Sequence, residues 1–135
     1  MTSLYDLYET NLDLEQEGVW VEIAEGIELK VAALGNPNHQ EAMERFSKPY
    51  KSQMRQKTIA KDIEEDLHMK AIAKAVLVDW KGVTDRKGKE IVYSFENAYK
   101  LLTDPSMRRF KSIVLGLSTE AETFKSQEVE EAIKN

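Results

Sequence analysis

The residue types that carry most enzyme chemistry are sparse in this chain. Histidine occurs only at His39 and His68, far apart, and neither has a second ligand at helical spacing. Cysteine is absent, which excludes disulfides, zinc–thiolate sites and thiol nucleophiles. Carboxylates are plentiful but run together, as at Asp62, Glu64, Glu65 and Asp66. Such a run reads as a solvated face rather than a paired acid and base. Gly82 to Gly88 lacks the Lys-Ser/Thr ending of a phosphate loop. Asp85-Arg86-Lys87-Gly88 superficially resembles a calcium loop, yet it sets a single carboxylate beside two cations where several alternating carboxylates are needed. No serine or threonine has a histidine partner in a nucleophile elbow. The residues therefore predict no catalytic group, no cofactor and no metal, and the chain is not expected to be an enzyme.

One charge feature stands out. Arg45, Lys48, Lys51, Arg55, Lys57 and Lys61 are interrupted by no acid, and Asp62, Glu64, Glu65 and Asp66 follow directly. A basic block against an acidic one suits docking of an oppositely charged partner, and Glu64 and Glu65 join the six cations as candidate docking residues. A solvated face with internal pairing and a phosphate-binding surface remain open alternatives. The whole chain carries a net charge of −5, which argues against nucleic acid as the main partner. Its 135 residues, 41% apolar and 32% charged, fit one globular domain. Met1 to Asp6 lacks the basic and apolar regions of a signal peptide. No apolar run approaches the ~18 residues of a membrane span, so no membrane association is expected.

The elements that must position these residues follow from periodicity. Residues 1–18 are mixed and acidic and read as a loosely ordered leader, with a short helical turn at Leu4, Tyr5, Leu7 and Tyr8. Val19, Val21 and Ile23 alternate with other residues, as do Ile27, Leu29, Val31 and Ala33 after Glu25-Gly26, which predicts a β-hairpin. Asn38 is a candidate cap for a helix carrying Met43 and Phe46, before Pro49 interrupts. Ile59, Ile63, Leu67, Ala71, Val76 and Trp80 recur at helical spacing, so a long helix from Thr58 to Trp80 is expected, stopped by Lys81-Gly82. Ser94 caps a helix to Leu102, and Thr103-Asp104-Pro105 starts another whose apolar stripe ends near Leu117. The predicted fold is α+β: an N-terminal β-hairpin packed on a mainly helical body of about four to five helices. The core domain covers residues 19–117, and residues 118–135 form an acidic tail anchored by Phe124, Val129 and Ile133.

Taken singly, Trp80, Gly82 and their neighbours read as a corner of the core. Taken in order, they resemble a family. Leu77-Val78-Asp79-Trp80-Lys81-Gly82-Val83-Thr84-Asp85, then Gly88, then Tyr93-Ser94-Phe95-Glu96-Asn97-Ala98, then Leu101-Leu102-Thr103-Asp104-Pro105, is similar to tail assembly chaperones of siphovirus-type, long-tailed bacteriophages and prophages. The upstream Gly-Val-Trp-Val and Gly-Asn-Pro add to the resemblance, which covers roughly residues 18–117 and is densest between 76 and 114. It implies a non-enzymatic protein of the host bacterial cytoplasm. Such a protein binds the tape measure protein, keeps it soluble and helps recruit the tail tube protein, and it is absent from the mature virion. In many of these phages a programmed frameshift appends a second domain, and the acidic tail after Leu117 suits such a junction. Self-association along the client, through the unpaired hairpin edge, is a further expectation. Two other readings stay open: a structural neck or tail-completion protein, and a small nucleic-acid-binding regulator using the Arg45–Lys61 block.

Overall fold

The computed structural model describes residues 1–125. Two short helices come first, α1 (Leu4–Tyr8) and α2 (Leu12–Glu17), followed by strands β1 (Val19–Ala24) and β2 (Ile27–Val31). Helices α3 (Pro37–Ser47), α4 (Lys51–Gln56) and α5 (Lys61–Ala75) lead into strand β3 (Leu77–Lys81). Helices α6 (Phe95–Thr103) and α7 (Arg108–Thr119) complete the body. The sheet is antiparallel in the order β1-β2-β3, so β2 lies in the middle and β1 and β3 form its edges.

The expected α+β arrangement, an N-terminal β-hairpin on four to five helices, is corrected on three points. Two helices precede the hairpin, seven α-helices lie among the described residues, and the hairpin is two-thirds of a three-stranded sheet. The protein is mostly helical with this one small sheet. The helix expected from Thr58 to Trp80 starts later, at Lys61, and ends at Ala75. Residues 77–81 become a strand because β2 has a second edge to fill, and Leu29 and Val31 need apolar partners there. Trp80 pairs with Leu29 and Leu77 with Val31. Val76 and Trp80 fit a helical repeat, but tertiary pairing overrides it at such short apolar runs.

The core gathers on one face of the sheet. Leu29 and Val31 of β2 are fully buried against Ile72 and Val76 from the end of α5, Ala98 and Leu102 of α6, and Val114 of α7. Each buried Val, Leu or Ile stabilises the fold by about 1.5–3 kcal/mol, and removing one would leave a cavity. A second, smaller contact joins α3 to α5 through Ala42, Ala71 and Ala75, with Met43 and Phe46 half-buried beside it. Alanines there let the two helices approach closely.

Caps define the helix ends. Ser94 Oγ accepts from the Asn97 N–H at 3.0 Å and starts α6. Asp104 accepts from the Ser106 N–H at 2.9 Å and starts the Pro105–Met107 turn that feeds α7. The cap of α3 is Asn36, not the expected Asn38: its Oδ1 accepts from the N–H groups of Asn38 at 2.8 Å and His39 at 3.1 Å, and Pro37 takes the first helical position.

The stretch expected as a leader bears α1 and α2, capped by Ser3 and Asn11. Neither helix has a buried residue. Backbone bonds tie α2 down, from Asn11 N–H to Phe124 O at 2.8 Å and from Ala33 N–H to Glu15 O at 2.8 Å, and Lys125 Nζ donates to Asp6 O of α1 at 3.3 Å. Of the tail, Ser118 and Phe124 are buried and Ala121–Phe124 is a 3₁₀ turn. The anchors expected at Val129 and Ile133 lie outside the described residues.

Candidate functional site

The structure brings the corner residues together. Trp80 sits in β3 at 5% exposure. Its indole N–H donates to Ile91 O at 2.7 Å, the partner a buried indole requires, and its ring meets Tyr93 edge-on at 5.1 Å. The Tyr93 hydroxyl donates to Leu77 O at 2.8 Å, closing the loop back onto β3. Burial, and then the Asp79 carboxylate, push the Tyr93 hydroxyl up to about 12. Gly82 adopts φ +76° under the β1–β2 turn. Val83 and Leu101 pack half-buried on the core, and Leu102 lies within it.

The excursion between β3 and α6 is a small hairpin. Thr84 bridges Glu90, and the Ile91 N–H donates to Val83 O at 2.9 Å. Asp85 organises the tip: one carboxylate oxygen accepts from the N–H groups of Lys87 at 2.8 Å and Lys89 at 2.9 Å. Gly88, at φ +82°, donates to Asp85 O at 3.0 Å. Asn97 Nδ2 donates to Val92 O at 2.8 Å and ties the far end to α6. The Trp80 indole, the Tyr93 hydroxyl, the Asp85 carboxylate and the Asn97 amide are thus occupied in holding chain direction.

The docking candidates lie elsewhere, on α3, α4, the turn between them and the start of α5. Arg45, Lys48, Lys51, Arg55, Lys57, Lys61, Glu64 and Glu65 are all exposed. Arg45 pairs with Glu41 at 3.2 Å, and the other five cations have no ion-pair partner among the described residues. Between α3 and α4 runs an open groove of about 540 Å³ with Met43, Ser47 and Met54 along it, Lys51 and Arg55 on the rim and Glu44 beside them. Helix α4 buries none of its residues.

A larger cleft of about 620 Å³ separates α5 from the α6–α7 connection, where Asp62, Glu65 and Asp104 face Arg108 and Lys111. At its margin the Tyr99 hydroxyl donates to Asp66, which lowers that carboxyl and raises the phenol, while Lys70 pairs with Asp66 at 3.1 Å. Phe46, Phe95 and Tyr99 stack in a row, at 5.9 and 6.3 Å between ring centroids. Among the described residues no group of three or more His, Asp or Glu could hold a metal ion. No helix among them is long and apolar enough to cross a membrane. His39 Nδ1 accepts from the Gly35 N–H at 3.0 Å, leaving Nε2 buried and unpartnered; burial, with His68 nearby, lowers its pKa.

Sequence reasoning missed the most exposed apolar surface. Leu4, Tyr5, Tyr8 and Leu12 are 66–75% exposed and line one shallow depression at the start of the chain. Their apolar spacing suggested a helical turn, and only the fold reveals that nothing among the described residues covers it.

Comparison with protein families supplies the next step. Residues 34–135 match a family described as YdaY prophage protein, which makes this a prophage protein. With well over half of the chain matched, it belongs to the YdaY prophage protein family. The match begins just past β2, so the hairpin and the two leading helices lie outside it. The description names a prophage and says nothing of tails. No curated protein and no solved structure matches the chain.

Proposed function

We propose that this prophage protein is a tail assembly chaperone. It binds the tape measure protein in the host bacterial cytoplasm, keeps it soluble, helps recruit tail tube subunits, and leaves before the virion is complete. Prophage membership and the ordered residues from Leu77 to Pro105 support this reading. The observation that carries it is the exposed apolar surface at Leu4, Tyr5, Tyr8 and Leu12. A contiguous apolar patch on a small protein marks a place where another macromolecule docks. A long helical client exposing apolar stripes is the kind of partner such a patch and a Met-lined groove would hold.

The test is co-expression with the tape measure protein of the same prophage. The reading requires a larger soluble fraction of the client and a complex that survives purification. It fails if the client stays insoluble and no complex is captured. Purified particles separate the structural alternative, because a neck or tail-completion protein would remain in them.

A further inference from the structure

Two walls of opposite charge face each other across the cleft between α5 and the α6–α7 connection. Helix α7 packs on α6 and β2, and its first turns stand across an open gap from α5. Asp62, Glu65 and Met69 recur at helical spacing and share one face of α5, and Arg108 and Lys111 share one face of α7. Asp62, Glu65, Arg108 and Lys111 have no ion-pair partner among the described residues. The other two carboxylates of the cleft are engaged. Asp66 accepts from the Tyr99 hydroxyl and pairs with Lys70, and Asp104 accepts from the N–H and the hydroxyl of Ser106. Two unpaired anions thus oppose two unpaired cations over a floor of Met69, Leu102 and Pro105.

Such a cleft selects its occupant by charge. A uniformly acidic or uniformly basic partner is drawn to one wall and repelled by the other, which turns away a nucleic acid strand. We propose that the cleft receives an amphipathic helix of a partner protein. Its apolar stripe lies on the floor, cations along one flank meet Asp62 and Glu65, and carboxylates along the other meet Arg108 and Lys111. Size agrees. An α-helix is about 10 Å across and rises about 5.4 Å per turn, so two turns fill roughly 850 Å³. A cleft of about 620 Å³ holds such a helix sunk by more than half its width, with its polar back in solvent. The owner of the helix is the client, an assignment that rests on the chaperone reading. The cleft shares no lining residue with the apolar surface at α1, so the client meets two separate faces.

Two synthetic amphipathic helices of identical composition test this, by fluorescence anisotropy with the full chain. Both carry one leucine stripe. In the first, lysines flank the stripe on one side and glutamates on the other. In the second, lysine and glutamate alternate on both sides. The first should bind at least about tenfold more tightly. Arg108→Glu with Lys111→Glu makes both walls acidic and should erase that preference, and Asp62→Lys with Glu65→Lys should erase it by making both basic. Combining all four substitutions exchanges the walls and should restore the preference, because the helix can enter in the opposite direction. Damage to the fold could not produce that rescue, and circular dichroism checks each variant. Equal affinity for the two helices, no binding of either, a preference that survives in a one-wall variant, or no recovery in the folded combined variant overturns the proposal. The assay contains no tape measure protein. A preference for the first helix beside a client that stays insoluble ends the chaperone reading and leaves the cleft, and a client made soluble with no such preference does the reverse.

Discussion

The carbonyl oxygen of Gly26 lies 1.9 Å from where a Cβ on residue 82 would stand. The chain leaving β3 therefore passes directly beneath the β1–β2 turn, and only a residue without a side chain fits. Gly82 also needs its positive φ of 76°. Gly82→Ala should cost about 3 kcal/mol or more, from steric displacement of backbone added to strain. Gly88→Ala has the same positive φ but nothing within 4 Å, so it should cost only about 1 kcal/mol. Urea unfolding of the two variants checks the difference, and equal losses would contradict the close approach.

Trp80 and Tyr93 hold the same corner by hydrogen bonds. Trp80→Phe leaves Ile91 O without its donor and opens space in the core, at a cost of about 2 kcal/mol or more. Tyr93→Phe should cost about 1 kcal/mol, since it removes one bond to Leu77 O. The phenol also sets an alkaline limit. Its folded pKa of about 12 exceeds the unfolded value near 10, so the unfolded chain releases the proton first. Stability from this group is intact below about pH 10 and declines as pH rises toward 12. Tyr93→Phe should flatten that decline in a denaturation series across the same window.

Asn36 joins two helices, because its Nδ2 donates to Ala33 O at 2.7 Å and to Ala75 O at 3.1 Å while its Oδ1 caps α3. Asn36→Ala should cost about 2 kcal/mol, a lost cap plus the lost amide bond to Ala75 O, while Ala33 O keeps the backbone N–H of residue 36. Asn38→Ala should cost less than about 0.5 kcal/mol, as its side chain is exposed. Thermal melts of both variants decide between the two caps.

His39, on the first turn of α3, gives an acid-side prediction. Burial depresses its folded pKa below the unfolded value of about 6.5, so the unfolded chain takes up the proton first. Stability from the neutral imidazole is present above that value and is lost as pH falls below it. His39→Gln should reduce the loss measured between neutral pH and about pH 5.

The α1 surface separates binding from folding. Leu4→Asp with Tyr8→Asp alters exposed residues of a helix that buries none of its own, so stability should change by no more than about 0.5 kcal/mol per site. Capture of the tape measure protein in a pull-down should fall at least about tenfold if two apolar anchors are lost. Undiminished capture would move the client to another face.

Much of this architecture is decided locally, and there the sequence by itself suffices. Ser94 before Phe95, Asp104 before Pro105, and Glu25-Gly26 between two alternating runs each satisfy backbone groups with their own near neighbours, so their spacing is enough to place them. So is the ordered set from Asp85 to Pro105, in which Asp85 and Gly88 shape a tip and Asn97 fastens it. What depends on distant partners was decided only by the tertiary structure. Residues 77–81 are a strand because Leu29 and Val31 present an open edge across the molecule. Asn36 displaces Asn38 as the cap because its amide also reaches the end of α5. Lys51 and Arg55 gained a groove, and Leu4, Tyr5, Tyr8 and Leu12 became a surface, only when chain packing left them uncovered. Burial is a property of the assembled core, and periodicity alone cannot say which apolar face finds a partner.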